Sequence, residues 1–247
     1  MRIRTLIVGY ALALALFLFA QHHPAQSSAS GFRSVVDLTH SLDGRALTYK
    51  PDVSAFHVRT SSSPEQFVTG IEAPARFARG LWTVDQIPTE RLIAPLVVLD
   101  VSANTANHPD YEISVEDIAQ WERVHDQIPL GSVVIARTGW DTRWNSPRYR
   151  NVDPKGVMHF PGYSQDAAKF LVEGRNALGL GIDAMRVDHG LSRDFPVRQY
   201  AAAHSVYQLE NVANLDRAPA NGGMIVVAPT KLESGSSGPV RILALVR

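Results

Sequence analysis

Apolar and polar residues alternate along this chain in short blocks that predict a mixed α/β fold. Runs of strand length that are rich in Val, Ile and Leu alternate with stretches whose apolar residues recur at helical spacing. The run Ala94–Ser102 is apolar almost throughout, which predicts a strand buried on both faces. The other predicted strands are Ser34–Leu38, Ser132–Gly139, Ala177–Ala184 and the two C-terminal runs GGMIVVAPTKL and VRILALV, joined by a Ser/Gly-rich loop at Glu233–Pro239.

The clearest predicted helix begins at Ser114. Asp117 stands three residues later, which is the spacing of a capping box, and Val115, Ile118 and Trp121 follow at helical intervals. Trp121 is therefore expected to lie in the core. Further helical segments are predicted to begin at Ser164 and to span Arg198–His204.

The stretch EQFVTGIEAPARF, residues 65–77, predicts a short strand that runs into a turn at Ala73-Pro74. It places the carboxylate of Glu72 four residues before the guanidinium of Arg76. These two groups beside a turn suit a functional site. On this stretch alone, an exposed ion pair that contributes little stability is the better interpretation.

Between residues 140 and 163 the chain is long, aromatic and irregular, which is typical of a lid or a pocket wall. This loop contains Trp140 and His159. His40, in the turn that leaves the first strand, fits a site or an ordinary loop equally well.

Composition limits the possible functions. The 247 residues are enough for one large domain or two small ones. The 24 basic and 24 acidic residues balance, so the chain lacks the basic excess of a nucleic-acid-binding protein. The absence of cysteine excludes disulfides and thiolate groups. The glycines near residue 180 do not form a GxGxxG pattern, which argues against dinucleotide binding.

The N-terminus has the pattern of a signal peptide. Met1-Arg-Ile-Arg supplies positive charge, and Thr5–Ala20 is almost wholly apolar and uncharged. This run is short for a membrane-spanning helix, which needs ~20 residues. We predict that residues 1–30 are a signal peptide and linker and that residues 31–247 form a single domain. The mature protein is expected to be periplasmic or extracellular and not membrane-bound; an uncleaved anchor is the alternative.

Seven segments, taken in order, are far more specific than any single motif. They are DLTH at Asp37, VDQIPTERLIAPLVVLDVS from Val84, HPDYEISVEDIAQWE from His108, IPLGSVVIARTGW from Ile128, HFPGYSQDAAKFLV from His159, LENVANLDRAPANGG from Leu209 and APTKLESGSSGPVRILAL from Ala228. Together they resemble the cyclase family of metal-dependent hydrolases, which includes kynurenine formamidase and isatin hydrolase, over nearly all of the mature chain.

The resemblance implies a swivelling β/β/α fold, in which helices flank a mixed sheet. It also implies assembly as a homodimer or homotetramer. The implied activity is hydrolysis of amide-type bonds in small cyclic or N-acyl substrates, with zinc or manganese as the typical metal.

The metal motif of the family, His-x-x-x-His-x-Asp-x-x-x-His-Phe, is altered in this sequence. A further family His lies twelve residues before the late Glu ligand, and here these two positions hold Arg198 and Glu210. Aligned on the shared Ala-Pro and Phe, the motif positions hold Gln66, Gly70, Glu72 and Arg76. Of all these positions, only those of Glu72 and Glu210 still carry a metal-binding side chain.

Two carboxylates beside two guanidiniums would hold a divalent ion weakly, because zinc and related metals need about three or four protein ligands. We therefore expect no metal cofactor. Instead, Arg76 and Arg198 are expected to pair with Glu72 and Glu210 and to replace the charge of the metal. The predicted substrate-binding residues are Gln66, Trp140, His159 and His204.

Three functions fit this substitution. In the first, the protein is a hydrolase or lyase acting on a small molecule: an arginine stabilises an oxyanion, and Glu72 or Glu210 acts as general base. In the second, it is a metal-free pseudoenzyme that binds a small aromatic or anionic ligand. In the third, the ion pairs are structural and the protein acts through its oligomer surfaces. The sequence does not decide between the first two. The predicted catalytic residues are Glu72, Arg76, Arg198 and Glu210.

Overall fold

The computed structural model describes residues 31–41 and 68–247. Residues Ser34–Arg247 form one compact unit. Its described strands are β1 (Ser34–Asp37), β2 (Gly70–Glu72), β3 (Ile93–Asp100), β4 (Glu112–Ile113), β5 (Val133–Arg137), β6 (Gly162–Tyr163), β7 (Gly179–Ile182), β8 (Tyr207–Glu210), β9 (Gly223–Pro229) and β10 (Ser237–Val246).

Eight of the described strands form one mixed sheet, in the order β1-β10-β9-β3-β5-β7-β8-β2. Because β10 also pairs with β2, this sheet closes on itself like a barrel. The parallel pairings in this sheet are β3 with β5, β5 with β7, and β7 with β8. The remaining pairings are antiparallel. β4 and β6 form a separate parallel pair. The predicted mixed α/β architecture is confirmed.

β3 is buried on both faces because its side chains alternate between two cores. Val97 and Leu99 belong to a core that also contains Trp121. Leu96 and Val98 point into a second core on the opposite face. The predicted burial of this strand and the core position of Trp121 are therefore confirmed.

The described helices are α1 (Ser102–Thr105), α2 (Val115–His125), α3 (Gln165–Lys169), which continues as a π-helical turn at Phe170–Gly174, and α4 (Pro196–Ala203). The start of α2 is as predicted, since the Ser114 hydroxyl accepts the amide hydrogen of Asp117, whose carboxylate accepts the amide hydrogen of Ser114. No helix in residues 31–41 and 68–247 is long and apolar enough to cross a bilayer. Short 3-10 turns lie at Pro74–Arg76, Val84–Gln86, Thr89–Arg91, Trp140–Arg143, Pro147–Tyr149 and Leu215–Arg217.

The sequence pattern misses β8 and the start of β10. β10 begins at Ser237, inside the segment predicted as the loop Glu233–Pro239, because Ser237, Gly238 and Pro239 pair with β2. β8 pairs with β2 as well. Both elements thus depend on a partner strand that is distant in the sequence, which local hydrophobic periodicity does not report.

Candidate functional site

Glu72 and Glu210 lie on neighbouring strands where the barrel closes. β2 pairs antiparallel with β8, with Gly70 opposite Glu210 and Glu72 opposite Gln208. Residues that lie opposite each other, or two positions further along a strand, share one face of a sheet. Both carboxylates therefore project to the same side.

Arg198 lies between these carboxylates, in the first turn of α4. Its Nη1 is 3.3 Å from Glu72 Oε2 and 3.8 Å from Glu210 Oε1. Its Nε is 3.2 Å from Oδ2 of a third carboxylate, Asp188. One buried guanidinium thus contacts three acidic side chains.

Sequence analysis did not identify Asp188, Phe77 or Phe195, which hold Arg198 in place. Asp188 is 1% exposed, and its carboxylate also accepts the amide hydrogens of Val197 and Arg198. The rings of Phe77 and Phe195 flank the guanidinium, with centroids 4.8 and 4.3 Å from its carbon. A single Asp ten residues before Arg198 carries no periodic signal, so only the fold shows this contact.

Arg76 lies at the end of the turn that follows β2, and its Nε is 3.6 Å from Glu72 Oε1. Its side chain is 23% exposed, against 10% for Arg198. The prediction that both arginines lie within ion-pair reach of Glu72 or Glu210 is thus confirmed. Together, these side chains form a carboxylate–arginine cluster, which consists of Glu72, Arg76, Asp188, Arg198 and Glu210.

Burial raises the pKa of two carboxyl groups in the cluster, Asp188 and, most strongly, Glu210. Burial and the negative charge of Glu72 raise the pKa of Glu210 well above its ordinary value, against the opposing effect of Arg198. Among the described residues, Glu210 Oε1 is buried and has no hydrogen-bond partner. Burial by itself lowers the pKa of Arg198, but its three carboxylate neighbours, Glu210 first, raise it overall. A fixed cation therefore faces a carboxyl that holds its proton more tightly than usual.

Hydrogen bonds connect the strand end that carries Glu210 to the aromatic loop after β5. The Tyr149 hydroxyl donates to Asn211 Oδ1 at 2.7 Å. Asn211 Nδ2 donates to the Val68 carbonyl at 2.8 Å, and the Thr69 hydroxyl donates to the Asn211 carbonyl at 2.7 Å. The loop predicted to form a pocket wall is thus fixed next to the cluster.

Of the predicted substrate-binding residues, Trp140 lies in the core and Gln66 is not among the residues that the structure describes. Trp140 is 1% exposed, and its indole N–H donates to the Tyr149 carbonyl at 2.8 Å. The Arg143 guanidinium covers the Trp140 ring, 3.8 Å from the centroid. These contacts place Trp140 in the core, with one face of its ring covered by Arg143.

The two predicted substrate-binding histidines have other partners. His159 Nδ1 is 2.8 Å from Asp110 Oδ2, and this hydrogen bond raises the pKa of His159. His204 is exposed at the C-terminal end of α4, where its Nδ1 is 2.8 Å from the Tyr200 carbonyl oxygen. It lies at the opposite end of the helix from Arg198. A substrate-binding role for either histidine stays a prediction.

The described residues at the metal positions of the family do not fit a divalent ion. Gly70 offers no side-chain ligand, and Arg198 places a cation between Glu72 and Glu210. In the part of the chain that the structure describes, no group of three or more His, Cys, Asp or Glu side chains is arranged to hold a metal. Two carboxylates already paired with guanidiniums do not supply the three or four ligands that zinc needs.

Known proteins resemble this chain over most of its length. A family model described as "Putative cyclase" matches residues 36–189. Isatin hydrolase from Roseibium aggregatum is 33% identical over 189 residues, which cover 74% of this chain and 69% of that protein. Isatin hydrolase A from Labrenzia aggregata, solved bound to benzyl benzoate, has a TM-score of 0.74 at 31% identity, covering 86% of this chain and 93% of that one. An isatin hydrolase bound to the product analogue thioisatinate has a TM-score of 0.73 at 26% identity, covering 100% and 99%.

Proposed function

Because this chain belongs to the cyclase family, we propose that it hydrolyses amide-type C–N bonds in small cyclic or N-acyl molecules and that it does so without a metal ion. The observation that carries the proposal is the carboxylate–arginine cluster, in which Glu210 faces Arg198 at 3.8 Å. A carboxyl with a raised pKa suits proton transfer near neutral pH. A guanidinium suits stabilisation of developing negative charge.

In the proposed reaction Glu210 is the general base. It takes a proton from a water molecule as the water oxygen attacks the carbonyl carbon of the amide. Arg76 stabilises the oxyanion that forms, since it is the more exposed of the two arginines of the cluster. When the intermediate collapses, the C–N bond breaks and the proton on Glu210 passes to the leaving nitrogen, which gives a carboxylic acid and an amine.

Glu72 and Arg198 have supporting roles in this proposal. Glu72 lies within 3.6 Å of Arg76 and 3.3 Å of Arg198, so it holds both guanidiniums in place by ion pairing. Arg198 supplies the fixed positive charge that a metal ion supplies in the family. A cyclic amide such as isatin is the first substrate to test, because the relatives described above are isatin hydrolases.

The alternative is a pseudoenzyme that binds a small aromatic or anionic ligand. One observation favours it: three carboxylates already surround Arg198, which leaves little of its charge for a reaction intermediate. In that case the cluster, which is neutral when Glu210 is protonated, is the rigid floor of a binding pocket.

The first prediction concerns hydrolysis. Purified protein is incubated with isatin, N-formylkynurenine and simple lactones in the presence of EDTA, and the products are quantified by chromatography. We expect turnover that EDTA leaves unchanged, that rises with pH as Glu210 loses its proton, and that falls by about 100-fold or more in Glu210→Gln. Glu233→Gln, an exposed carboxylate outside the cluster, is the matched control and should keep full activity.

Two outcomes contradict parts of this proposal. One equivalent of zinc or manganese by elemental analysis, together with activity that EDTA abolishes, overturns the metal-free mechanism. An inactive wild type, with activity only when the four histidines are restored, establishes the pseudoenzyme. At Gly70, an added Cβ meets nothing nearer than the Gly238 carbonyl oxygen at 3.5 Å. The four changes are Gln66→His, Gly70→His, Arg76→His and Arg198→His.

We further propose that the mature protein is exported to the periplasm or the medium and assembles as a homodimer or homotetramer, without a nucleic-acid partner. The basic and then apolar N-terminal pattern supports export, and the cyclase family supports self-association. Mass spectrometry of the N-terminus and light scattering of the purified protein test the two proposals separately.

A further inference from the structure

A cleft of about 670 Å³ opens on the loop that follows β5. Among the described residues, its lining contains two guanidinium groups and no carboxylate. The lining residues are Thr142, Arg143, Ser146, Arg148 and Asn151.

The neutral side chains of the cleft are already engaged. Thr142 Oγ1, Ser146 Oγ and Asn151 Nδ2 each donate to a backbone carbonyl oxygen of the same loop, at 2.7, 2.7 and 2.8 Å. These bonds fix the shape of the loop. The hydrogen-bond donors that remain for a ligand are the N–H groups of Arg143 and Arg148.

Arg143 is an unusual arginine for this protein. Other half-buried arginines have a polar partner: Arg137 Nη1 contacts Asp100, Arg175 Nε contacts Glu122 at 2.7 Å, and Arg91 Nη2 donates to the Ser205 carbonyl at 3.1 Å. Within residues 31–41 and 68–247, Arg143 makes no ion pair or side-chain hydrogen bond, and its guanidinium lies 3.8 Å over the Trp140 ring.

The positive charge of Arg148 makes the burial of the Arg143 guanidinium less favourable. Burial lowers the pKa of Arg143, and the positive charge of Arg148 lowers it further. An arginine stays charged in proteins, so the two like charges repel in the absence of an anion. A bound anion would remove that repulsion.

We propose that this cleft binds the carboxylate group of a small organic anion between Arg143 and Arg148. A carboxylate has two oxygens in one plane, which match the planar N–H forks of guanidiniums. The Trp140 ring holds the plane of Arg143, so little side-chain freedom is lost on binding. The site goes beyond the proposed hydrolysis, and binding there needs no turnover.

The location of the cleft gives the ligand a route to influence the cluster. Tyr149, next to Arg148, is hydrogen-bonded to Asn211, the residue that follows Glu210. An anion bound at Arg148 is therefore connected to the proposed general base, Glu210, through Tyr149, its hydrogen bond to Asn211, and the peptide bond between Asn211 and Glu210.

Calorimetric titration of benzoate into the purified full-length protein tests the site. We expect benzoate to bind, and its neutral isostere benzamide not to bind. Arg148→Met and Arg143→Met should each weaken benzoate binding by about 10-fold or more, because each removes a charge-assisted hydrogen bond. Arg123→Met, which removes an exposed arginine of α2, should leave the affinity unchanged.

Three results would overturn the assignment. They are unchanged benzoate affinity in Arg148→Met, binding of benzamide as tight as that of benzoate, and binding of inorganic phosphate tighter than that of benzoate. Arg148 is exposed, so its substitution tests the site even where Arg143→Met does not fold. Because no activity is measured, failure here is distinguishable from failure of the proposed hydrolysis.

Discussion

At the scale of single residues, burial decides what an ion pair contributes. The Arg241–Asp37 pair is short, at 2.7 Å, but its side chains are 61% and 44% exposed, so water screens it. The Arg198 contacts are longer, yet the side chain is only 10% exposed. Removing one partner of a buried pair leaves an uncompensated charge, which is far more costly than losing an exposed pair.

Arg198→Met should therefore destabilise the protein by about 3–5 kcal/mol at neutral pH. The reason is that three carboxylates lose their shared cation. Urea denaturation measures the free energy of unfolding, and Arg241→Met is the matched control, for which the loss should stay below about 1 kcal/mol.

The same variant gives a pH dependence with a definite sign. Arg198 lowers the pKa of Glu210 and Asp188, so their pKa values rise further in Arg198→Met. The folded variant then binds more protons than the folded wild type at intermediate pH, and its stability deficit shrinks as pH falls. A deficit that is constant between neutral and acid pH contradicts this account of the cluster.

At the scale of elements, α4 depends on a residue outside itself. Its N-cap residue, Phe195, is held at φ 49° and has no side-chain acceptor. Asp188 takes that role, since its carboxylate accepts the amide hydrogens of Val197 at 2.9 Å and Arg198 at 3.3 Å. A negative charge at a helix N-terminus is also favourable to the helix dipole. The helix start and the guanidinium are thus fixed by one carboxylate.

Asp188→Ala should cost about 3 kcal/mol or more, because it removes a buried charge partner as well as a cap. By comparison, Ser114→Ala, which removes the ordinary cap of α2, should cost about 1 kcal/mol. Hydrogen exchange should show faster exchange at the Val197 and Arg198 amides in the Asp188 variant. Equal stability losses in the two variants would mean that Asp188 acts as a cap alone.

At the scale of the whole molecule, the three residues of β2 close the barrel. β2 pairs with β8 on one side and with β10 on the other. Its central residue, Ile71, is 1% exposed and packs in the core that also holds Leu96 and Val98. The site and the closure of the sheet therefore share one short strand.

Ile71→Ala should destabilise the protein by about 2–5 kcal/mol, through lost burial and the cavity that remains. Val35→Ala, on the 55% exposed face of β1, is the control and should change stability by less than about 0.5 kcal/mol. If Ile71→Ala unfolds the protein at the same denaturant concentration as the control, β2 does not contribute to the closed sheet.

The sequence by itself determined the elements whose signals are local. The apolar run of β3 and the capping pattern at Ser114 report burial and helix start without reference to the rest of the chain. The ordered family segments determined the fold class and pointed to Glu72, Arg76, Arg198 and Glu210. The expectation that two arginines face two carboxylates followed from residue types at aligned positions, and the distances confirm it.

Only the tertiary structure decided which groups complete the site. Asp188 and the two phenyl rings meet Arg198 because α4 packs where β2 and β8 end, and no periodicity marks those contacts. The strand β8 pairs with both β7 and β2, and the first residues of β10 pair with β2. Strand pairing and ion pairs between segments that are distant in the sequence form only when the chain folds. A local sequence pattern therefore does not predict them.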